Sequence, residues 1–232
     1  MVDINIDKIY CIAIPERKKY ITNLLFNYFR FPESKIIFLD PFLKNKLNLD
    51  FLINNNILDP NHCLNKGEIA CYLSHYNVLN HFYNSNSTMA LILEDDLQKK
   101  DKNVYLKLNN ILNNLPPSFD IIHISRYYSY CKDDIPYNSF LNKSFLSLST
   151  QSLIISKKGS KKILKNILPI KIPIDHYIAK LCIKKKLNCY SSKKNLFFQK
   201  RTNNGPFKSR LNHYDKVLPV CLNRKRKSCK KY

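Results

Sequence analysis

Short apolar runs alternate with longer amphipathic segments along the chain, and this pattern predicts strands that alternate with helices. The first two runs, Ile9–Ile14 and Lys35–Leu39, are apolar nearly throughout. Between them a helix is predicted from Pro15 and Glu16, because Pro and an acidic residue are typical of a first helical turn. A strand–helix–strand opening with continuously apolar strands predicts an α/β fold built on a parallel sheet.

The next amphipathic segment predicts a helix that begins after Asn65. Asn65 and Glu68, three residues later, have the spacing of a capping box. Six residues then recur at helical spacing and define the expected buried face: Ile69, Tyr72, Leu73, Tyr76, Leu79 and Tyr83. Cys71 and His75 lie on a neighbouring face. No second pair of ligands accompanies them, so a packed thiol and a hydrogen-bonded imidazole are favoured over a zinc site.

A buried strand is predicted at Met89–Leu93, and it runs directly into three carboxylates, Glu94, Asp95 and Asp96. Adjacent acids repel one another and are costly to desolvate unless a cation or a water-filled cleft receives them. Alternation along the strand predicts Glu94 and Asp96 on one side and Asp95 on the other. Two oxygen ligands on one side suit Mn²⁺ or Mg²⁺. For the triplet alone, a solvated acidic turn is the alternative.

The second half of the chain continues the alternation. Strands are predicted at 119–125, 150–156, 188–190 and 196–199, and helices at 104–115, at 160–167 and from residue 174 onward. His123 is expected to be a core histidine. Residues 126–147, rich in Tyr, Ser and Asn, are predicted to form a long loop. Its aromatic rings suit stacking on a sugar and, equally, packing on the domain. Asp175 falls in the first turn of the last helix, where the helix dipole favours a carboxylate.

Composition adds a strong positive charge, formally +22, with 39 Lys and Arg residues against 17 Asp and Glu. Such a charge favours polyanionic partners: nucleic acid, an anionic lipid surface or phosphorylated substrates. The densest basic run is Arg224–Lys227, within a predicted tail of residues 221–232 that follows one domain of residues 1–220. A solvated tail in a lysine-rich composition is the alternative interpretation.

The eight cysteines are scattered without a Cys-x-x-Cys pair, which is typical of core thiols in a reducing compartment. The acidic residues 1–7 lack the apolar core of a signal peptide, and no apolar run approaches the length of a membrane span. The sequence therefore predicts a cytoplasmic protein. Its basic tail allows peripheral contact with an anionic membrane, each charge near the surface contributing about 1 kcal/mol.

Four segments carry a resemblance to a known family through their order and spacing: Gly67–His75, Leu93–Asp96, Thr150–Leu164, and Pro173–Ile178 with Gln199 beyond. Together they resemble glycosyltransferase family 25, the lipooligosaccharide and procollagen galactosyltransferase family. The helix Gly67–His75 is the most specific of the four segments. The first strand departs from the family, because Ile12 is followed by Ala and Ile where Asn and Leu are usual, with Arg17 close behind.

The resemblance implies a GT-A fold: a Rossmann-like mixed sheet flanked by helices in a single domain. It implies an inverting transfer of a sugar, typically galactose from a UDP-sugar donor, to a glycan, glycolipid or glycoprotein acceptor. Mn²⁺ or Mg²⁺ is the implied cofactor, with Asp96 as its direct ligand and Glu94 assisting. Asp175 is the implied base that takes the proton of the acceptor hydroxyl.

Donor contacts implied by the resemblance surround these carboxylates. They involve Ile12, Arg17, Glu68, Ser74, His75 and Asp95. Two alternatives stay open at this point: a catalytically inactive relative that binds a sugar nucleotide, and a basic protein that binds nucleic acid through stacked aromatic residues. Nucleic acid is the less favoured partner, because no compact basic–aromatic motif is present and the acidic triplet would repel phosphates without a metal.

Overall fold

The computed structural model describes residues 4–101, 103–126, 128–129 and 134–200. The predicted tail, its basic run Arg224–Lys227 and the cysteines at 131, 221 and 229 lie outside these ranges. Six helices lie within them: α1 (Pro15–Asn23), α2 (Leu49–Asn54), α3 (Lys66–Asn84), α4 (Val104–Leu112), α5 (Lys157–Leu164) and α6 (Ile174–Ile183). A π-helical turn, Leu24–Tyr28, continues α1, and short 3₁₀ turns occupy Glu33–Lys35 and Lys44–Lys46.

Ten strands follow one another in the described ranges: β1 (Lys8–Ile12), β2 (Ile36–Leu39), β3 (Met89–Glu94), β4 (Ile121–His123), β5 (Tyr128–Ser129), β6 (Ile135–Pro136), β7 (Leu141–Lys143), β8 (Ser147–Leu148), β9 (Ser152–Ser156) and β10 (Cys189–Ser192). Eight of them form one sheet in the order β2-β1-β3-β9-β4-β10-β7-β6, and β5 pairs only with β8. The predicted α/β fold is confirmed.

The sheet is mixed. Its parallel portion includes β1 and β2, whose apolar runs predicted a parallel sheet. Strand β1 pairs in parallel with both β2 and β3. Strand β9 then lies antiparallel between β3 and β4, and β4 resumes a parallel pairing with β10. The mixed, Rossmann-like sheet with flanking helices that the family resemblance implies is therefore observed.

Both faces of the sheet are buried, which explains why the first strands are apolar throughout. Cys11, Leu91 and Leu93 belong to the core beneath α1 and α4. Tyr10 and Ile92, their neighbours along the same strands, belong to the core beneath α3, α5 and α6. Alternate residues of each strand thus serve opposite helical layers.

Helix α3 begins as predicted. The Asn65 side chain accepts hydrogen bonds from the backbone N–H groups of Gly67 and Glu68, and Glu68 Oε2 accepts one from the Asn65 N–H. This reciprocal arrangement is a complete capping box. The buried face is shifted slightly from the prediction, because Val78 and Phe82 are fully buried whereas two of the predicted tyrosines are half-buried.

The prediction of a long loop at 126–147 is wrong. Strands β6 and β7 form a hairpin that extends the main sheet through β10, and β5 and β8 form a separate ladder. Two- and three-residue strands leave too short a pattern for alternation to be recognised. The predicted strand at 196–199 is reduced to a single bridge between Leu97 and Gln199. The helix predicted at 160–167 begins three residues earlier, as α5 (Lys157–Leu164).

The prediction that the cysteines are all free core thiols is wrong for one pair, since Cys182 and Cys189 form a disulfide. A tight turn between α6 and β10 brings their Cα atoms to 5.8 Å, which is within disulfide range. The prediction of a reducing, cytoplasmic location depends partly on free thiols, and this disulfide removes that support. No helix in the described part of the chain is both long and apolar enough to span a bilayer.

Gly159 in α5 packs against the backbone of Asp120, the residue just before β4. The N-cap hydroxyl of Ser156 accepts a hydrogen bond from the Gly159 N–H at 3.0 Å and donates one to the Phe119 carbonyl at 3.0 Å. A Cβ atom at position 159 would lie only 2.1 Å from the Asp120 carbonyl oxygen. Because the obstacle is backbone, no side-chain rotation relieves this clash.

Gly159→Ala should therefore lower the free energy of unfolding by about 1–3 kcal/mol or more, as overpacking against fixed atoms does. Urea unfolding measures the change. Lys158→Ala is the matched control, because Lys158 is the exposed neighbour of Gly159 in the same helical turn and should have little effect. Equal unfolding midpoints for wild type and Gly159→Ala would contradict the close approach.

Candidate active site

The three consecutive carboxylates at the end of β3 are directed to different partners. Glu94 contacts α3, which packs on one face of the sheet, and Asp95 contacts α1 on the opposite face. The predicted alternation of these two side chains is therefore confirmed. Asp96 lies in the turn beyond the strand and contacts the chain near residue 200.

Asp95 ties the first helix to the central strand. Its Oδ2 accepts a hydrogen bond from the Ile14 N–H at 2.7 Å, and its Oδ1 pairs with Arg17 Nη1 at 2.7 Å. Burial raises the pKa of Asp95, although the Arg17 charge and these hydrogen bonds oppose the rise. Ile12, at the end of β1, lies beside Glu94 in the register of the sheet, so the first strand borders the acidic site.

Glu94 is held by two donors on one oxygen. His75 Nε2 lies 3.1 Å from Glu94 Oε1, and the Thr150 hydroxyl donates to the same oxygen at 2.9 Å. Burial would raise the pKa of Glu94, but the hydrogen bonds from His75 and Thr150 and the electrostatic influence of His75 and Arg17 outweigh it, and the pKa is lowered. The predicted hydrogen-bonded imidazole of His75 is confirmed.

Asp96 is the least compensated of the three acids. Its Oδ2 accepts a hydrogen bond from Gln199 Nε2 at 2.6 Å. Its Oδ1 is buried and has no hydrogen-bond partner among the residues that the structure describes. Burial, and then the negative charge of Glu94, raise the pKa of Asp96 to about 7.

These residues fit a divalent cation. A buried carboxylate oxygen without a donor is costly, and a cation at Asp96 Oδ1 would supply the missing positive partner. Both observed hydrogen bonds to Glu94 end on Oε1, so Oε2 of this partly exposed side chain is available as a second oxygen ligand. Carboxylate oxygens are the ligands that Mg²⁺ and Mn²⁺ prefer.

Asp175 lies in the first turn of α6 and is only 4% exposed. Its Oδ2 accepts a hydrogen bond from the Ser149 N–H at 3.2 Å, and its Oδ1 accepts one from the His176 N–H at 2.9 Å. Ser149 adopts a φ of 93°, a left-handed conformation that is unusual for a non-glycine residue.

The turn at 149–151 connects Asp175 with Glu94. Ser149 binds Asp175 through its backbone, and the next residue, Thr150, binds Glu94 through its hydroxyl. His123 Nδ1 donates to the Ser149 carbonyl at 3.3 Å, and burial lowers the pKa of this histidine to about 4. The predicted core histidine thus supports the turn. Sequence reasoning missed the roles of Ser149 and Thr150, because neither residue type signals a strained turn.

Glu68 and Ser74 lie on α3 and have local partners. The Glu68 carboxylate completes the capping box. The Ser74 hydroxyl donates to the Ala70 carbonyl at 2.7 Å and accepts a hydrogen bond from the Phe42 N–H at 2.9 Å. Ser74 thereby fixes the segment after β2 against α3, and the predicted donor contacts of both residues stay predictions.

Cys71 lies on α3, one helical turn before His75. Burial, and then the charges of Glu94 and Asp175, raise the pKa of the Cys71 thiol well above its ordinary value. Ligand atoms of Cys71, His75 and Glu94 all lie within 4.8 Å of one another. The sequence showed the pair on the helix, and the tertiary fold adds the carboxylate.

Carboxylates at the carboxyl ends of central strands occupy the position where open α/β sheets bind ligands. The fold and the site therefore define an α/β protein with an acidic, cation-compatible ligand site. The model of glycosyltransferase family 25, described as an LPS biosynthesis protein family, matches residues 9–178. The chain belongs to glycosyltransferase family 25.

Three of the curated relatives that the chain resembles are animal proteins. Procollagen galactosyltransferase 1-A of Xenopus laevis is 30% identical over 145 residues, which cover 58% of this chain and 23% of that protein. Procollagen galactosyltransferase 1 of Danio rerio is 30% identical over 146 residues, covering 58% and 24%. Inactive glycosyltransferase 25 family member 3 of Mus musculus is 25% identical over 123 residues, covering 50% and 21%. The chain thus spans about a quarter of these relatives' length.

Asp96 should make the stability of the metal-free protein depend on pH. Its pKa is raised from 3.8 to about 7 on folding, so between these values the folded state holds a proton that the unfolded chain has released. The contribution of Asp96 to stability is greatest below about pH 4 and falls as the pH rises towards 7. With EDTA present, Asp96→Asn should raise the free energy of unfolding at about pH 8 by on the order of a few kcal/mol, with little effect at about pH 4.

Urea unfolding at the two pH values measures this difference. Asp101→Asn is the matched control, because the hydrogen bond from Lys107 is the main cause of the lowered pKa of Asp101, and its loss should not stabilise the protein at high pH. If Asp96→Asn changes the free energy of unfolding equally at both pH values, the pKa of Asp96 is not raised on folding.

Proposed function

We propose that the chain is an inverting, metal-dependent hexosyltransferase that moves galactose from a UDP-sugar to a hydroxyl of a glycan, glycolipid or protein-linked acceptor. The observation that carries the proposal is the junction of two adjacent residues, Ser149 and Thr150, with Asp175 and Glu94 respectively. This junction holds a candidate base and a candidate metal ligand on opposite sides of one turn.

Glu94 and Asp96 are the proposed ligands of Mn²⁺ or Mg²⁺. When bound, the cation would neutralise the negative charge that develops on the diphosphate leaving group. His75 and Thr150 orient Glu94 through its Oε1, and Gln199 orients Asp96 through its Oδ2. The carboxylates are thus held in place before a ligand arrives, which lowers the cost of ordering them on binding.

Asp175 is the proposed general base. In an inverting transfer the acceptor oxygen attacks the anomeric carbon from the face opposite the leaving group. The new carbon–oxygen bond forms as the bond to the diphosphate breaks, its electron pair leaves with UDP, and the acceptor proton passes to the Asp175 carboxylate. The two backbone N–H groups that bind Asp175 fix the orientation of its carboxylate.

The proposed donor pocket lies between β1 and α3. Arg17 is held by Asp95 at the end of β1, so its guanidinium is positioned near the three acids. Ile12 lies beside Glu94 at the same edge of the sheet. On the other side, α3 contributes His75 directly, with Ser74 and Glu68 along the same helix.

A sugar-nucleotide-binding protein without transferase activity is the second candidate, because the murine relative bears the name of an inactive family member. The two candidates share donor binding and differ in transfer. The carboxylates at the end of β3 are consistent with either, so the decisive property is turnover of the donor in the presence of an acceptor.

Donor binding should require a divalent cation. Wild-type protein titrated with UDP-galactose should bind it with Mn²⁺ and lose binding with EDTA. Asp96→Asn should weaken binding with Mn²⁺ by at least about tenfold, or ~1.4 kcal/mol. Asp101→Asn serves as the control and should bind normally. Equal affinities for wild type with Mn²⁺, wild type with EDTA and Asp96→Asn would remove the metal from the proposal.

Asp175→Asn should fold normally and still bind UDP, yet lose transfer to an acceptor by about 10²–10⁴-fold, the usual contribution of a general base. Lys180→Ala, an exposed position on the same helix, is the control. If Asp175→Asn transfers at a near-normal rate, the residue serves only the helix dipole, whose loss costs about 0.3–1 kcal/mol of stability.

A further inference from the structure

Three side chains with different ligand chemistry meet beside the proposed donor site: the Cys71 thiol, the His75 imidazole and the Glu94 carboxylate. One ligand atom from each lies within 4.8 Å of the other two. Across residues 4–101, 103–126 and 134–200, no other group of three His, Cys, Asp or Glu ligands comes together in this way.

The fold brings this group together from two elements. Cys71 and His75 are four residues apart on α3, so their side chains lie one turn apart on one face. Glu94 reaches that face from the end of β3, where the Thr150 hydroxyl holds it at 2.9 Å. His75 Nε2 and Glu94 Oε1 are 3.1 Å apart, close to the roughly 3.4 Å that separates two ligands of a tetrahedral zinc ion.

We infer that Cys71, His75 and Glu94 form a site for a thiophilic divalent cation such as Zn²⁺. Sulfur and imidazole nitrogen favour Zn²⁺ and Co²⁺, whereas Mg²⁺ and Mn²⁺ prefer the all-oxygen pair of Glu94 and Asp96. Three protein ligands leave a fourth position for water, as in zinc sites of enzymes. On binding, the Cys71 thiol and the Nε2–H group of His75 each release a proton to solvent, and His75 coordinates through Nε2 with a proton on Nδ1.

The two proposed cation sites share Glu94, which has a functional consequence that rests on the proposed function. A zinc ion bound to Cys71, His75 and Oε1 of Glu94 places a second positive charge beside Oε2 of the same carboxylate, the oxygen proposed for Mn²⁺, and the two cations therefore compete. Zn²⁺ should therefore inhibit Mn²⁺-supported turnover of the donor. Cys71 belongs to the zinc site alone, so it separates the two sites experimentally.

Cobalt is the probe for the site, because Co²⁺ bound by a thiolate gives a charge-transfer band in the near ultraviolet. The full chain, with its Cys182–Cys189 disulfide intact and handled without oxygen, is titrated with Co²⁺ and then with Zn²⁺. Wild type and Cys63→Ser should show the same band, and Zn²⁺ should displace it. Cys63 is the matched control, because it is a free, exposed cysteine.

Cys71→Ser should lose the band, and His75→Gln should weaken Co²⁺ binding at least about 100-fold, since loss of outer partners alone costs 10–100-fold. No band in the wild type, or an undiminished band in Cys71→Ser, would overturn the inference and leave a packed thiol beside a His75–Glu94 hydrogen bond. Circular dichroism of each variant excludes misfolding as the cause of a lost band.

Donor hydrolysis provides the second measurement. With Mn²⁺ present, Zn²⁺ should inhibit wild type and Cys63→Ser, whereas Cys71→Ser should retain Mn²⁺-supported hydrolysis and need at least about tenfold more Zn²⁺ for the same inhibition. Equal inhibition of Cys71→Ser would refute the shared-ligand consequence. If wild type and both variants all fail to hydrolyse the donor under every condition, the proposed function fails. The cobalt band still decides whether the metal site exists.

Discussion

Electrostatic repulsion among three consecutive carboxylates at the end of β3 is the constraint on which the site depends. Each acid requires its own compensation, and the chain supplies it from separate elements. Asp95 binds Arg17 and the Ile14 N–H, which fixes the start of α1 on one face of the sheet. Glu94 binds His75 of α3 on the other face, together with Thr150 from the turn before β9. The acids thus determine how both helical layers meet the strand.

The antiparallel strand β9 explains why the candidate base and the candidate metal ligand lie together. Because β9 pairs beside β3 in the opposite direction, its first residues lie next to the last residues of β3. The turn that enters β9 therefore reaches Glu94, and its backbone also reaches Asp175 at the start of α6. Ser149 holds this turn in a left-handed conformation, a cost of order 1–3 kcal/mol that is tolerated where the surroundings determine the backbone.

Among the residues that the structure describes, Asp96 Oδ1 is buried without a donor, whereas both oxygens of Asp95 and the Oε1 of Glu94 accept hydrogen bonds. This buried acid lowers the stability of the metal-free protein, and the proposed cation would offset that cost. The neighbouring group of Cys71, His75 and Glu94 adds sulfur and nitrogen donors to the same region. The match to glycosyltransferase family 25 over residues 9–178 includes all of these site residues except Gln199, the partner of Asp96.

Local sequence determined the features that depend on neighbours in the chain. Continuous apolar runs specified β1 and β3, the Asn65–Glu68 spacing specified the start of α3, and alternation separated Glu94 from Asp95. Features that depend on residues far apart in the chain required the tertiary structure. The approach of Ser149 to Asp175, the Cys182–Cys189 disulfide and the short strands at 135–148 leave no periodic signal. Hydrophobic period and capping act over a few residues, whereas sheet order, which sets these contacts, is decided only when distant strands pair.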